Sequence, residues 1–165
     1  MVILGIDPGS VVTGYGVISS QGSRVEALEY GCIRGKAGDL SSKRYIRIFD
    51  GLKEVFSKIQ PDVAAIESLF FCKNVRSAIK LGEARGVAIL SMGHLGIPIY
   101  EYAPRRIKQA VVGFGNADKR QVQMMVVKLL GLKETPNPED VTDALAVAIC
   151  HLHAHKNILE KAKPI

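Results

Sequence analysis

Two acidic residues stand at the ends of apolar segments typical of buried strands. Asp7 closes the segment Val-Ile-Leu-Gly-Ile-Asp, and Glu67 closes Asp-Val-Ala-Ala-Ile-Glu. A buried carboxylate is costly unless it is paired or bound to a metal ion, so Glu67 favours a functional role over a structural one. Asp7 also opens an Asp-Pro-Gly turn, and a role in that turn is an equal alternative for it.

A second pair of acids opens the last predicted helix, which runs from about residue 139 to residue 153. Asp140 and Asp143 are three residues apart and therefore lie on the same face of its first turn. Residues 144–149 are apolar on almost every side, which predicts that the helix packs in the core and directs both acids inward. The alternative is that they only stabilise the helix N-terminus through its dipole.

Together the four carboxylates predict a site for hard divalent cations. Oxygen ligands suit Mg²⁺ or Mn²⁺ better than zinc, because no cysteine or histidine accompanies them. Two such ions about 3.5–4 Å apart form a site for in-line displacement at phosphorus. The carboxylates therefore indicate hydrolysis of a phosphodiester.

The charge distribution fits a nucleic-acid substrate. Residues 103–133 contain seven basic residues and one acidic residue, whereas residues 134–143 contain four acidic residues and no basic one. A basic segment beside an acidic cluster can hold a phosphate backbone next to bound metal. On charge alone, ordinary solvated helix faces explain the pattern equally well.

Length and composition predict one folded domain. The chain has 165 residues, of which 47% are hydrophobic and 23% charged, and this excludes a disordered chain. We expect a single nuclease domain over residues 1–155 and a flexible tail over residues 156–165. The sequence shows no membrane-spanning apolar run, and its three well-separated cysteines predict a reducing compartment, the cytoplasm.

The elements that position the four acids are typical of an α/β fold with a mixed sheet. The first 34 residues predict three strands in an antiparallel meander, followed by a helix capped by Asp39 or Ser41 that ends near Ile59. A strand ending at Glu67, a helix to about Ser91, a strand from Pro98 and three helices follow. Right-handed crossovers make the strands that end at Asp7 and Glu67 parallel, and if these strands are neighbours their carboxylates meet at one sheet edge.

The histidines near the C-terminus are the other candidate ligands. His151 and His155 are four residues apart, which is one spacing of metal-binding pairs, and His153 lies between them. We interpret the three as an exposed helix end rather than as a metal site.

Four sequence blocks carry a resemblance to a known family. They are LGIDPGSVVTGYGV, AIESLFFCKN with LGEARGVAI, YAPRRIKQAVVGFGNADKRQVQ, and PEDVTDALAVAICHLH. In this order and spacing they resemble the RuvC family of Holliday-junction resolvases, over about residues 2–153.

The resemblance implies an RNase H-like fold of five strands flanked by helices, and a homodimer that nicks opposed strands of a four-way DNA junction. It implies Mg²⁺, replaceable by Mn²⁺ and with two ions per site, and products with 5′-phosphate and 3′-hydroxyl ends. The branch-migration proteins RuvA and RuvB are the implied partners. The implied metal ligands are Asp7, Glu67, Asp140 and Asp143, and the predicted DNA contacts are Phe70, Phe71, Arg76, Lys108 and Lys119.

Three rival functions remain open from the residues. An actin-like phosphotransferase also begins with a strand, an acid and a glycine turn, but it needs two such domains. A non-catalytic DNA-binding module would not need four converging acids. The nearest rival is an RNase H-like nuclease without junction specificity, which the two phenylalanines and the basic helices disfavour.

Overall fold

The fold is a mixed five-stranded sheet with helices on both faces, as predicted. The computed structural model describes residues 1–36, 38–68, 74–156 and 163–165, with the side chain of residue 156 left out. The strands are β1 (Val2–Asp7), β2 (Val12–Gln21), β3 (Arg24–Arg34), β4 (Val63–Glu67) and β5 (Ile99–Tyr102). The helices are α1 (Ser41–Ile59), α2 (Val75–His94), α3 (Pro104–Val112), α4 (Lys119–Leu130) and α5 (Glu139–Lys156).

The strand order β3-β2-β1-β4-β5 places the ends of β1 and β4 side by side. β1 is antiparallel to β2 and parallel to β4, and Ile6 is in register with Ile66. The next residue on each strand is therefore one of the predicted acids, Asp7 or Glu67. The predicted meeting of these two strand ends at one sheet edge is confirmed.

Alternating side chains of the central strands supply two cores, one on each face of the sheet. Ile3 and Ala65 face the core that α3, α4 and α5 cover, whereas Leu4 and Ile66 face the core that α1 and α2 cover. All four side chains are fully buried. The sheet is thus a rigid platform, and the acids at its edge are placed by buried neighbours on both sides.

Helix α5 lies directly on β1 and β2 because glycines leave room for it. A Cβ added at Gly5 would be 2.0 Å from the carbonyl oxygen of Ala144, and one at Gly14 would be 2.0 Å from that of Asp140. No side chain fits at such distances, so these two glycines let the first turns of α5 reach the end of β1. This close approach brings the acids of α5 to Asp7.

Two predicted details of the helices are wrong. Neither Asp39 nor Ser41 caps α1: the N-cap residue is Leu40, which makes no side-chain cap. Asp39 instead accepts hydrogen bonds from the main-chain nitrogen of Lys36 and from Nε of Arg47, so its carboxylate is engaged elsewhere. Helices α2 and α5 each extend three residues beyond their predicted ends.

The histidine interpretation is wrong for His151, which is only 2% exposed, while His155 is exposed. The predicted domain and tail boundaries stay predictions, because residues 157–162 lie outside the described residues. Among the described helices, none has the length and apolar character that crossing a membrane would require.

Candidate active site

Three of the four predicted metal ligands meet at the edge of the sheet. The side chains of Asp7 and Glu67, at the ends of β1 and β4, are hydrogen-bonded to each other. Asp143, in the first turns of α5, is close enough for its charge to act on both of them. Asp140 lies one helical turn earlier, and its charge acts on Asp7 and Asp143. The structure therefore brings the predicted acids together.

Burial and mutual repulsion make this cluster reluctant to carry its full negative charge. Burial raises the pKa of Asp7 to about 8, and the charges of Glu67, Asp143 and Asp140 add to the rise. Burial, followed by the charge of Asp143, also raises the pKa of Glu67, against the hydrogen bond from Asp7 and the charges of two nearby lysines. A cation at this point would relieve both effects.

Lys119, the first residue of α4, bridges two acids of α5. Its Nζ lies 3.0 Å from Oδ2 of Asp143 and 2.7 Å from Oε2 of Glu139. Partial burial opposes the charge of the lysine, but its hydrogen bonds to the two carboxylates outweigh burial and hold its pKa above the usual range. Burial still leaves the pKa of Asp143 above its ordinary value, even though Lys119 opposes the rise.

A cleft of about 180 Å³ opens over these groups. Its polar walls are Glu67, Asp143, Lys108 and Lys119, and its apolar walls are Pro104, Ile107, Val122 and Ala146. Lysines and carboxylates thus line the same small space. In such a space a phosphate group can contact lysine ammonium groups and, at the same time, a metal ion held by the carboxylates.

The donor set fits a hard divalent cation. Within the described residues, no three histidine, cysteine, aspartate or glutamate side chains already have the geometry of a metal site. The ammonium group of Lys119 lies 3.0 Å from a carboxylate oxygen of Asp143. The buried carboxylates whose pKa is raised, however, are the oxygen ligands and the concentration of negative charge that Mg²⁺ and Mn²⁺ require.

The predicted DNA contacts are partly described. Lys108 and Lys119 both line the cleft. Arg76 is exposed in the first turn of α2, where its main-chain nitrogen donates to the side chain of Asn74, the N-cap. Phe70 and Phe71 lie outside the described residues.

Sequence reasoning missed two residues beside the site. Glu139 is one of the four acids of residues 134–143, but the sequence indicates no partner for it. Its partner is Lys119, which lies 20 positions away along the chain. Arg85 of α2 was not singled out, although its Nε donates to the main-chain oxygen of Glu67 at 3.4 Å. Both contacts join distant segments, so no local pattern could reveal them.

Comparison with known proteins points to a single family. A family model described as "Crossover junction endodeoxyribonuclease RuvC" matches residues 3–151. Curated proteins of that name are 52% identical over 163 residues in Photorhabdus laumondii and 50% identical over 151 residues in Moorella thermoacetica. These alignments cover 99% and 92% of this chain, and 93% and 90% of the relatives.

Solved structures agree. The structure of Thermus thermophilus RuvC in complex with Holliday junction substrate superimposes with a TM-score of 0.93 at 34% identity, covering 100% of this chain and 99% of that one. The yeast mitochondrial Holliday junction resolvase Ydc2 has a TM-score of 0.62 at 14% identity, covering 92% of this chain and 78% of that one, and shares the fold. The predicted RNase H-like fold is thereby confirmed.

Proposed function

The chain belongs to the RuvC family of crossover junction endodeoxyribonucleases, and from that premise we propose that it resolves four-way DNA junctions by paired, metal-dependent nicks. One observation supports this activity above the others. The end of the sheet and the start of α5 bring acidic side chains together in a cleft that two lysines also line. That combination suits cleavage of a phosphodiester backbone.

The proposed cofactor is Mg²⁺, with Mn²⁺ able to replace it and two ions in each site. The residues that would hold the ions are Asp7, Glu67, Asp140 and Asp143. When bound, such ions activate water for attack on phosphorus and stabilise the leaving 3′ oxygen, which gives 5′-phosphate and 3′-hydroxyl ends. The raised pKa of Asp7 supports this assignment, because a divalent cation stabilises the charged form that burial disfavours.

The chain's own cations position the substrate in this proposal. Lys108 and Lys119 neutralise phosphate charge at the mouth of the cleft. Lys119 also holds the carboxylate of Asp143 in place through their ion pair. Arg76, exposed at the start of α2, contributes a further phosphate contact.

Phe70 is proposed to select branched DNA by stacking on a base that is unpaired at the crossover, with Phe71 as its neighbour in the contact. Such stacking is typically worth about 1–3 kcal/mol. Phe70→Ala should reduce junction cleavage by about tenfold or more, and junctions with unpaired bases at the branch point should recover part of the loss. If the variant melts at lower temperature yet cleaves normally when folded, Phe70 belongs to the core.

We also propose that the chain acts as a homodimer in the cytoplasm, with RuvA and RuvB as partners. Support for the dimer comes from α2, where Val75, Ile79 and Leu90 are exposed and a Cβ added at Gly86 or Gly93 would meet no atom within 4 Å. These positions recur at helical spacing along one stripe of the helix. In analytical ultracentrifugation, the Ile79→Glu variant should sediment as a monomer, whereas the unchanged chain should sediment as a dimer.

The decisive experiment compares cleavage of a four-way junction with that of a linear duplex of the same sequence, in Mg²⁺, in Mn²⁺ and in EDTA. Metal-dependent, symmetric nicks in the junction alone are expected, with 5′-phosphate ends confirmed by ligation of the products. Equal cutting of both substrates would instead indicate a nuclease without junction specificity. Binding without any cleavage would indicate a non-catalytic DNA-binding module.

A further inference from the structure

Arg85 is a mostly buried cation that the proposed mechanism does not use. It lies in the middle of α2, and its side chain is 16% exposed. Nη2 is 2.7 Å from Oε2 of Glu101, and Nε donates to the main-chain oxygen of Glu67 at 3.4 Å. One guanidinium group therefore contacts both an acid of β5 and the last residue of β4.

The two residues that Arg85 contacts lie at adjacent strand ends. Glu67 is in register with Tyr102, and Glu101 is in register with Ile66. The main-chain nitrogen of Ser68, the residue after β4, still donates to the main-chain oxygen of Tyr102 at 2.9 Å. Arg85 thus acts where β4 ends and the position of the Glu67 main chain has to be fixed.

The shape of the guanidinium group suits this double contact. Its nitrogens lie in one rigid plane and can serve two acceptors at once, whereas the ammonium group of a lysine is a single point. The ion pair between Nη2 and Glu101 orients this plane, and the arginine side chain is 16% exposed where that of Glu101 is 34% exposed. Nε lies on the same edge of the group as Nη2, so the ion pair also sets the direction in which Nε donates to the main-chain oxygen of Glu67.

We propose that Arg85 is a positioning residue for the metal ligand Glu67: anchored on Glu101, it holds the end of β4 so that the Glu67 carboxylate stays in the cluster with Asp7. The inference rests on the proposed function in one respect, the assignment of Glu67 as a ligand. Arg85 itself contacts no substrate or ion in this account. Its effect passes through the main chain of Glu67.

The test measures the affinity of the full chain for Mn²⁺ without DNA, by titration calorimetry. Arg85→Gln should weaken Mn²⁺ binding about tenfold, at the lower end of what the loss of an outer-shell partner usually costs. Arg85→Lys and Glu101→Gln, which each keep part of the arrangement, should give smaller losses. Arg47→Gln is the matched control, because it removes the ion pair between Arg47 of α1 and Asp39, which precedes that helix, and neither residue lines the cleft.

Cleavage provides a second readout. Arg85→Gln should cut the junction slowly at low Mg²⁺ and recover as the Mg²⁺ concentration rises, while junction binding in EDTA stays unchanged. Mn²⁺ affinity equal to that of the Arg47→Gln control would overturn the proposal. If Arg85→Gln does not fold, unchanged Mn²⁺ affinity in both Arg85→Lys and Glu101→Gln would overturn it instead. A chain that binds Mn²⁺ but cuts no junction would contradict the proposed function and leave the role of Arg85 standing.

Discussion

The two ends of α5 both bury ionisable side chains, but the surroundings of those side chains differ. The first turns bring Asp140 and Asp143 to Asp7, where like charges crowd together. Two turns beyond Asp143, His151 is buried among aromatic rings. One helix therefore carries a cluster that gains from an added cation and a group that is stable only when neutral.

At the histidine end, the chain itself supplies a partner for one of the two buried ring nitrogens. Nδ1 of His151 is 2.8 Å from the hydroxyl oxygen of Tyr102, and its ring centroid lies 4.6 Å from that of Tyr100. Burial, with a smaller effect from His155, lowers the pKa of His151 to about 4, so the ring is neutral near pH 7. The neutral ring is hydrogen-bonded at Nδ1, whereas Nε2 is buried without a hydrogen-bond partner among the described residues.

At the acid end, the cost of burial is not compensated by the chain itself. Lys119 pairs with Asp143, but burial still raises the pKa of Asp143 and Asp7. Perturbed groups that converge in a cleft mark a site where an outside charge is received, whereas a perturbed group paired in the core marks structure. A pKa shift alone therefore does not distinguish a functional site from a structural group; the charged and hydrogen-bonding groups around the shifted side chain do.

The largest expected effect follows from removing charge at the acid end. Asp7→Asn, Glu67→Gln, Asp140→Asn and Asp143→Asn should each abolish junction cleavage and leave junction binding intact, because each removes a proposed metal ligand and no proposed phosphate contact. In EDTA, the Asp7→Asn variant should also melt at a higher temperature than the unchanged chain. The substitution removes a buried carboxylate that the neighbouring acids Glu67, Asp143 and Asp140 repel. Asp50→Asn, at an exposed position on α1, is the control. Near-normal nicking by any of the four variants would remove that residue from the site.

The pH dependence of stability should separate the two ends by sign. The pKa of His151 is about 4 in the folded state and 6.5 in the unfolded state. Its contribution to the free energy of unfolding is therefore lost as the pH falls from about 6.5 to 4, and this loss is at most about 3 kcal/mol. The pKa of Asp7 is about 8 when folded and 3.8 when unfolded, so its contribution is lost as the pH rises from about 4 to 8.

Urea unfolding in EDTA between pH 4 and pH 8 measures both slopes. His151→Gln should reduce the loss of stability on the acid side only, and Asp7→Asn should reduce the loss on the alkaline side only. The same change of slope in both variants would mean that the two ends of α5 titrate as one unit.

A smaller effect is expected from the hydroxyl group at the histidine end. Tyr102→Phe leaves Nδ1 of His151 buried without its partner, which should cost about 1–3 kcal/mol of unfolding free energy. Cleavage per folded molecule should not change, because this end supports the fold and not the chemistry. Loss of cleavage without loss of stability would connect the pair to the site.

The sequence predicted the acid end well and the histidine end poorly, for physical reasons. Asp7 and Glu67 end apolar strands whose parallel pairing follows from chain order, and Asp143 follows from helical spacing. The position of His151 near the C-terminus predicts an exposed helix end, which is wrong. Its compensation comes from Tyr102, 49 positions away, and such long-range pairing leaves no local signal. The same holds for Arg85 and for the bridge from Lys119 to α5.

The smallest expected effect concerns the two lysines of the cleft and asks how far Lys119 is committed to the acid end. A lysine that neutralises one phosphate contributes about one unit to the slope of log affinity against log salt. Lys108→Ala should therefore lower the slope by about one unit in EDTA and in Ca²⁺ alike. Lys119→Ala should lower it less in EDTA, because Asp143 and Glu139 already neutralise that ammonium group.

In Ca²⁺, a divalent ion competes for Asp143, so Lys119 becomes available to phosphate and its contribution should approach one unit. Junction binding measured by fluorescence anisotropy at four salt concentrations resolves this difference. An identical, metal-independent slope for both variants would show that the bridge to α5 does not restrain Lys119. A slope that neither substitution changes would place both side chains in solvent and remove the lysines from the proposed interface. Either outcome would mean that Lys119 is not held by the acids of α5. The charged groups at the acid end would then be the carboxylates alone, without a compensating cation from the chain.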